Sequence, residues 1–182
     1  MKRCPIEFLE LELLKLKKMG QQFEIMRKYK ARNKKTQLVD IKMIPSKLKA
    51  LEDKIHALPF PGLNMDNLPF FVPIAMMAKG ETLVHDWVYE NRAVYFTELN
   101  RLGGNITLID SHRIKITGPT KLVGADLMSP PALRPAAIML VAMIGASGNS
   151  ILRGVYSINR GYENLEKRLR SIGVDIVLNK DD

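Results

Sequence analysis

The chain has 182 residues, 46% of them hydrophobic, a single cysteine and a net charge of +9. That length suits one domain, and that apolar content supports a real core, which excludes a disordered or low-complexity chain. A lone cysteine excludes an internal disulfide framework and fits a reducing compartment.

No uninterrupted apolar run reaches the roughly 18 residues that a membrane-spanning helix needs. The opening Met1-Lys2-Arg3-Cys4-Pro5 leads into a charged amphipathic segment and does not read as a signal peptide. All but one unit of the net charge falls in residues 1–60, so the basicity belongs to the first third of the chain.

In chain order, Ile6 to Met19 reads as a helix with Leu9, Leu13, Leu16 and Met19 on one face. Phe23 to Met26 reads as a strand. The basic run Arg27 to Lys35 has two readings, a phosphate or nucleic-acid patch and the solvated tip of a β-hairpin with Asn33 in its turn. The hairpin reading is preferred, because one tyrosine does not supply the interleaved aromatics of a single-strand binder. Gln37 to Met43 alternates as a strand, and Ser46 to Leu58 has helical spacing.

A second unit opens at Pro61-Gly62-Leu63-Asn64-Met65-Asp66, with a helix predicted from Asp66 to Ala78 and a kink at Pro73. Glu81 to Asp86 is a predicted strand, Arg92 to Leu102 a helix, and Asn105 to Ile109 a strand. Arg113 to Thr117 is its hairpin partner, with His112 in the turn. The third unit begins with a strand region at Leu122 to Met128 and a proline-stiffened loop, Ser129 to Pro135. An apolar helix from Ala136 to Gly145 follows, then a strand at Ser150 to Arg153, a helix at Gly161 to Ile172 and a last strand at Val174 to Leu178.

Three glycines set the register of these units. Four residues before Gly20, Gly103 and Gly173 stand Leu16, Leu99 and Leu169, and one before stand Met19, Leu102 and Ile172. Three after stand Phe23, Ile106 and Ile176, and five after stand Ile25, Leu108 and Leu178. The first two positions share a helix face and the last two a strand face, with glycine at a left-handed helix C-cap between them. The unequal spacing does not suit a solenoid. It suits one α/β domain of three related units, residues 1–60, 61–120 and 121–182. Asn91-Arg92 and Asn159-Arg160 repeat upstream of the second and third glycines.

Polar residues at the unit edges are the candidates for chemistry. Asp66, Arg92, Arg134 and Arg160 each stand at or just before a predicted helix start, where a three-unit domain lets them converge. One carboxylate among guanidiniums suits a hydroxylated, phosphate-bearing substrate: arginine forks grip phosphate, and an aspartate takes a hydroxyl proton. The same residues have a plainer reading, Asp66 as a helix N-cap and the arginines as salt-bridge partners. Cys4 has no neighbouring histidine to activate it. His56, His85 and His112 lack metal-ligand spacing, and no phosphate-binding glycine loop is present. No cofactor and no metal are expected.

Four motifs then converge on one family. Pro61 to Asp66, Val88-Tyr89-Glu90-Asn91-Arg92, Ala132-Leu133-Arg134 and Ile158-Asn159-Arg160-Gly161-Tyr162-Glu163 resemble, in order and spacing, the C-terminal half of the UDP-N-acetylglucosamine 1-carboxyvinyltransferases, members of the enolpyruvyl transferase family. The resemblance implies an inverted α/β barrel architecture of two three-unit domains with the active site between them, this chain being one domain. It implies transfer of enolpyruvyl from phosphoenolpyruvate to UDP-N-acetylglucosamine, the first committed step of peptidoglycan synthesis, in the cytoplasm. It implies Asp66 as the base facing the sugar hydroxyl and Val88 as a backbone contact to UDP-N-acetylglucosamine. Arg92, Arg134 and Arg160 would line the anionic cleft, with Arg160 nearest the phosphate of phosphoenolpyruvate.

Met65, Ala132 and Asn159 depart from the family's Thr, Asp and Asp. The family's N-terminal domain, with its catalytic loop, has no counterpart in these motifs. The expected partners are the two substrates and that missing domain, supplied in cis or in trans, with no membrane and no nucleic acid. The expected face toward the missing domain is exposed and apolar.

Overall fold

A computed structural model of the chain describes residues 1–179. Three separate sheets carry it. In the first, β1 (Cys4–Pro5), β2 (Gln22–Lys30) and β3 (Gln37–Ile44) pair antiparallel in the order β1-β3-β2. The second runs β4-β5-β7-β6, from β4 (Ile55–His56), β5 (Gly80–His85), β6 (Ile106–Leu108) and β7 (Arg113–Gly118). The third is a parallel pair, β8 (Asp126–Met128) and β9 (Ile151–Arg153).

The glycine register holds at the level of hydrogen bonds. Gly20, Gly103 and Gly173 take φ of 94°, 92° and 95°, left-handed values that a Cβ resists. Each glycine N–H donates to the carbonyl three residues back, and the next N–H donates to the leucine four before the glycine: Gln21 to Leu16, Gly104 to Leu99, Val174 to Leu169. Such paired bonds cover carbonyls that a helix end leaves unpartnered. The helices ahead of these caps are α1 (Glu10–Lys18), α3 (Arg92–Phe96) continued by a 3₁₀ turn over Thr97–Leu102, and, in the third unit, α5 (Tyr156–Gly161) and α6 (Leu165–Arg170).

After the cap the three copies diverge. β2 and β6 each fold back on the next strand, as expected. Val174 to Leu178 forms no strand: it has no ladder partner among the described residues, and Val177 and Leu178 stay exposed. The helix expected over Gly161 to Ile172 is shortened to α6: Gly161 is the last residue of α5, and Asn164 takes φ 48° just before α6 begins. The helix expected over Ser46 to Leu58 is absent. Its backbone is drawn out instead, with Lys49 donating to Met19 O, Ala50 to Lys79 O and Lys79 returning a bond to Leu48 O. Tertiary hydrogen bonds outweigh helical spacing there, where no continuous apolar face rewards a helix.

The Asp66 to Ala78 helix is a 3₁₀ turn (Leu68–Phe70) followed by α2 (Phe71–Met77). Pro73 is the third residue of α2, in the first turn, where its missing N–H forfeits little. Pro135 stands likewise at the third position of α4 (Leu133–Ile144). The basic run is the hairpin tip, closed by Asn33 Oδ1, which accepts the N–H groups of Lys35 and Thr36. The Asp110 to Arg113 turn joins β6 to β7, with His112 within it.

One large core joins the second and third sheets to the helices. Leu68, Val72 and Met76, Phe96, Leu99 and Leu102, and Ile138, Met139 and Ala142 of α4 are packed there with Val84, Ile114 and Ile116 of the second sheet. Each fully buried Leu, Ile, Phe or Met stabilises by roughly 1.5–3 kcal/mol, so this apolar cluster fixes where α3 and α4 begin. Those two starts are where Arg92 and Arg134 stand. A smaller cluster of Cys4, Leu13, Val39 and Ile41 holds the first sheet to α1.

Candidate active site

The site is built on the turn before α2. Asp66 donates its N–H to Asn64 Oδ1 at 2.7 Å, and Asn64 O accepts the N–H groups of Asn67 and Leu68. Asn67, not Asp66, caps the 3₁₀ turn, so the Asp66 carboxylate is not engaged as a helix cap. It is instead paired across units: Arg134 Nη2 lies 3.1 Å from Asp66 Oδ2, with the two side chains 23% and 41% exposed.

Arg134 enters from the second residue of α4. Its Nη1 donates to the Tyr162 hydroxyl at 3.1 Å, and its guanidinium carbon lies 5.7 Å from the centre of the Tyr162 ring. Its Nε is buried and has no acceptor among the described residues. Tyr162 follows α5 directly, its N–H donating to Ile158 O. α5 is seated tightly on the start of α4. Ser157 Oγ donates to Pro131 O at 2.9 Å, and a Cβ on Gly161 would meet Leu133 at 2.5 Å.

Arg92 does something different from the cleft-lining role expected of it. It forms a two-pronged pair with the fully buried Asp86, Nε to Oδ2 and Nη2 to Oδ1. Nη2 also donates to Met65 O at 2.8 Å, and the guanidinium lies 4.1 Å over the Tyr89 ring. The side chain is turned inward, so Arg92 holds the backbone next to Asp66 and does not present a free fork. Asp86 is the residue that sequence reasoning missed. In sequence Asp86 is only the last residue of a strand, and a partner six positions away across a loop leaves no periodic signal.

Arg160 lies in the last turn of α5 rather than in a loop. It is exposed, and its side chain makes no hydrogen bond or ion pair among the described residues. Val88 and Met65 are part-exposed and border the same groove, a cavity of about 670 Å³ walled by Phe8, Leu14, Leu58 and Phe60. Trp87 closes one end, its indole N–H donating to Ala57 O at 2.7 Å. The structure therefore joins Asp66, Arg134 and, through Met65, Arg92. It places Val88 along the adjoining groove and gives the Arg160 side chain no hydrogen bond or ion pair with the other three. Among the described residues no group of three His, Cys, Asp or Glu side chains is placed to hold a metal ion.

Comparison with known proteins fits this architecture. The chain is 42% identical over 125 residues to the UDP-N-acetylglucosamine 1-carboxyvinyltransferase of Treponema denticola, a match covering 69% of this chain and 29% of that one. Against UDP-N-acetylglucosamine 1-carboxyvinyltransferase 2 of Caldanaerobacter subterraneus the identity is 33% over 171 residues, 94% of this chain and 38% of that one. The chain thus spans well under half the length of these curated relatives.

Among solved structures, the enolpyruvyl transferase NikO from Streptomyces tendae superposes with a TM-score of 0.74 at 25% identity, covering 92% of this chain and 36% of that one. An EPSP synthase from Acinetobacter baumannii shares the fold at a TM-score of 0.70 and 19% identity, covering 94% and 39%. Residues 2–169 match the EPSP synthase (3-phosphoshikimate 1-carboxyvinyltransferase) family, and the chain belongs to that family.

Proposed function

We propose that this chain supplies the Asp66-bearing half of an active site that transfers enolpyruvyl from phosphoenolpyruvate to the 3′-hydroxyl of UDP-N-acetylglucosamine. The observation that carries the reading is the Asp66–Arg134 pair, a part-exposed carboxylate held by a cation from α4 and directly following Met65, which lines an open groove. In this reading the sugar hydroxyl bonds to C2 of phosphoenolpyruvate and its proton passes to Asp66. Protonation of C3, its later deprotonation and the departure of phosphate use groups outside this chain. Arg134 and the unpaired Arg160 stabilise the anionic substrates, Arg160 toward the phosphate. Val88 offers its backbone to UDP-N-acetylglucosamine, and Arg92 keeps Met65 and Asp66 in place.

Residues 1–60, 61–120 and 121–182 act as three units of one domain. The apolar groove beside Val88 faces the N-terminal domain that completes the site. The setting is cytoplasmic peptidoglycan synthesis.

Phosphate release from phosphoenolpyruvate in the presence of UDP-N-acetylglucosamine tests this, with the chain alone and with a family N-terminal domain added in trans. Turnover is expected only in the mixture and is lost in Asp66→Ala, by about 10²–10⁴-fold for a proton-transfer group. No turnover from two halves that demonstrably associate would leave a UDP-sugar-binding descendant without catalysis. The departures at Met65, Ala132 and Asn159 favour that second reading.

A further inference from the structure

We infer that Tyr162 is a positioning residue for the Asp66 carboxylate and acts on it through Arg134. This rests on the reading of Asp66 as the base. Three observations carry it. Arg134 reaches only two partners through its Nη atoms, Asp66 Oδ2 at 3.1 Å and the Tyr162 hydroxyl at 3.1 Å, and its buried Nε has none among the described residues. The guanidinium plane is therefore fixed by those two contacts and by the Tyr162 ring 5.7 Å away. Tyr162 is itself fixed: its N–H closes α5 on Ile158 O, and α5 is tied to the start of α4 by Ser157 Oγ, which donates to Pro131 O at 2.9 Å.

The third observation is the state of the carboxylate. Arg134 is tied to Oδ2, and no described group donates to Oδ1. A carboxylate held by one oxygen and open at the other is oriented for a hydroxyl proton, provided the holding cation does not swing. Without the Tyr162 hydroxyl, the Arg134 side chain keeps no hydrogen bond among the described residues, only its ion pair with Asp66, and the carboxylate turns with it. Misplacement of a reacting group by about 1 Å can cost on the order of 10²-fold in rate. The effect belongs in kcat rather than in KM, because in this reading Tyr162 acts on the base through Arg134.

The test has two arms. In the complemented enzyme, Tyr162→Phe keeps the ring and lowers kcat about tenfold, while Tyr162→Leu removes both contacts and lowers it about 10²-fold, KM for UDP-N-acetylglucosamine staying within about twofold. Because Tyr162 acts through Arg134, Tyr162→Phe combined with Arg134→Lys is no slower than Arg134→Lys alone.

In the isolated chain, the ¹³C signal of the Asp66 carboxyl, identified by its loss in Asp66→Asn, moves in Tyr162→Phe and Arg134→Lys alike at fixed neutral pH. Additive losses, a change confined to KM, or an Asp66 signal that ignores Tyr162 overturns the inference. If the wild-type mixture shows no turnover yet the Asp66 signal responds to both variants, the positioning stands and only the reaction assigned to the site fails.

Discussion

Two arginines, Arg92 and Arg134, have the same kinds of neighbours and opposite fates. Each starts a helix, pairs with an aspartate and packs against a tyrosine. Arg92 is 6% exposed, meets a fully buried Asp86 with two prongs and donates a further bond to Met65 O. Arg134 meets a part-exposed Asp66 through one nitrogen and leaves Nε unmatched. The saturated, desolvated pair holds the turn. The other pair is incompletely satisfied and solvent-reached, with one carboxylate oxygen and Nε left without a partner among the described residues. Burial and the count of directed bonds, rather than residue type, separate scaffold from site.

The sharpest way to break the contrast is at the scaffold end. Asp86→Ala leaves a buried guanidinium without its counter-charge and is expected to destabilise the chain by about 3–5 kcal/mol, read from the midpoint of urea unfolding. The caps give a second comparison. Gly103→Ala must place a Cβ 2.7 Å from Lys121 O at φ 92°, whereas Gly173→Ala meets nothing within 4 Å. Both carry the left-handed penalty of roughly 1–2 kcal/mol, and Gly103→Ala is expected to cost measurably more in thermal unfolding.

At the Asp66 end, Asp66→Ala removes a part-exposed pair and should shift stability by no more than about 1 kcal/mol in the same melting experiment, while phosphate release in the complemented mixture falls by about 10²–10⁴-fold. The smallest effect is a pH limb. The Arg113 side chain, followed by the His112 backbone N–H, holds the Asp110 carboxyl down at about 2. The unfolded chain therefore binds this proton first. The stabilisation is complete above roughly pH 4 and is lost as the pH falls toward that lower value. Asp110→Asn should flatten that acid limb by lowering the neutral plateau, where the wild-type chain has the full contribution, toward the low-pH level.

What the sequence made legible was local. A glycine after a helical leucine pattern demands a left-handed cap whatever surrounds it, and Gly20, Gly103 and Gly173 all obey. The β6–β7 hairpin was readable for the same reason, its turn being closed within a few residues by Asp110. Ser46 to Leu58 misled because its hydrogen bonds run to Met19 and Lys79, partners that no window of sequence contains. Val174 to Leu178 misled because alternation specifies a face but not a neighbour.

In the site, Asp66 and Arg134 could be picked out as loop-edge charges, and the structure joins them. Arg92 looked the same in sequence. Only the position of Asp86 inside the core shows that its guanidinium is turned inward.

Trp87 is the sole tryptophan in the chain, it is 47% exposed at the mouth of the groove, and its indole N–H is anchored to Ala57 O. Its fluorescence is therefore a label already in the molecule, free of competing indoles. Emission from a part-hydrated, anchored ring shifts to the blue when water is displaced, so whatever covers the groove can be titrated by colour alone. The same signal allows stopped-flow measurement of how fast the groove is covered, with no dye, no coupled enzyme and no turnover.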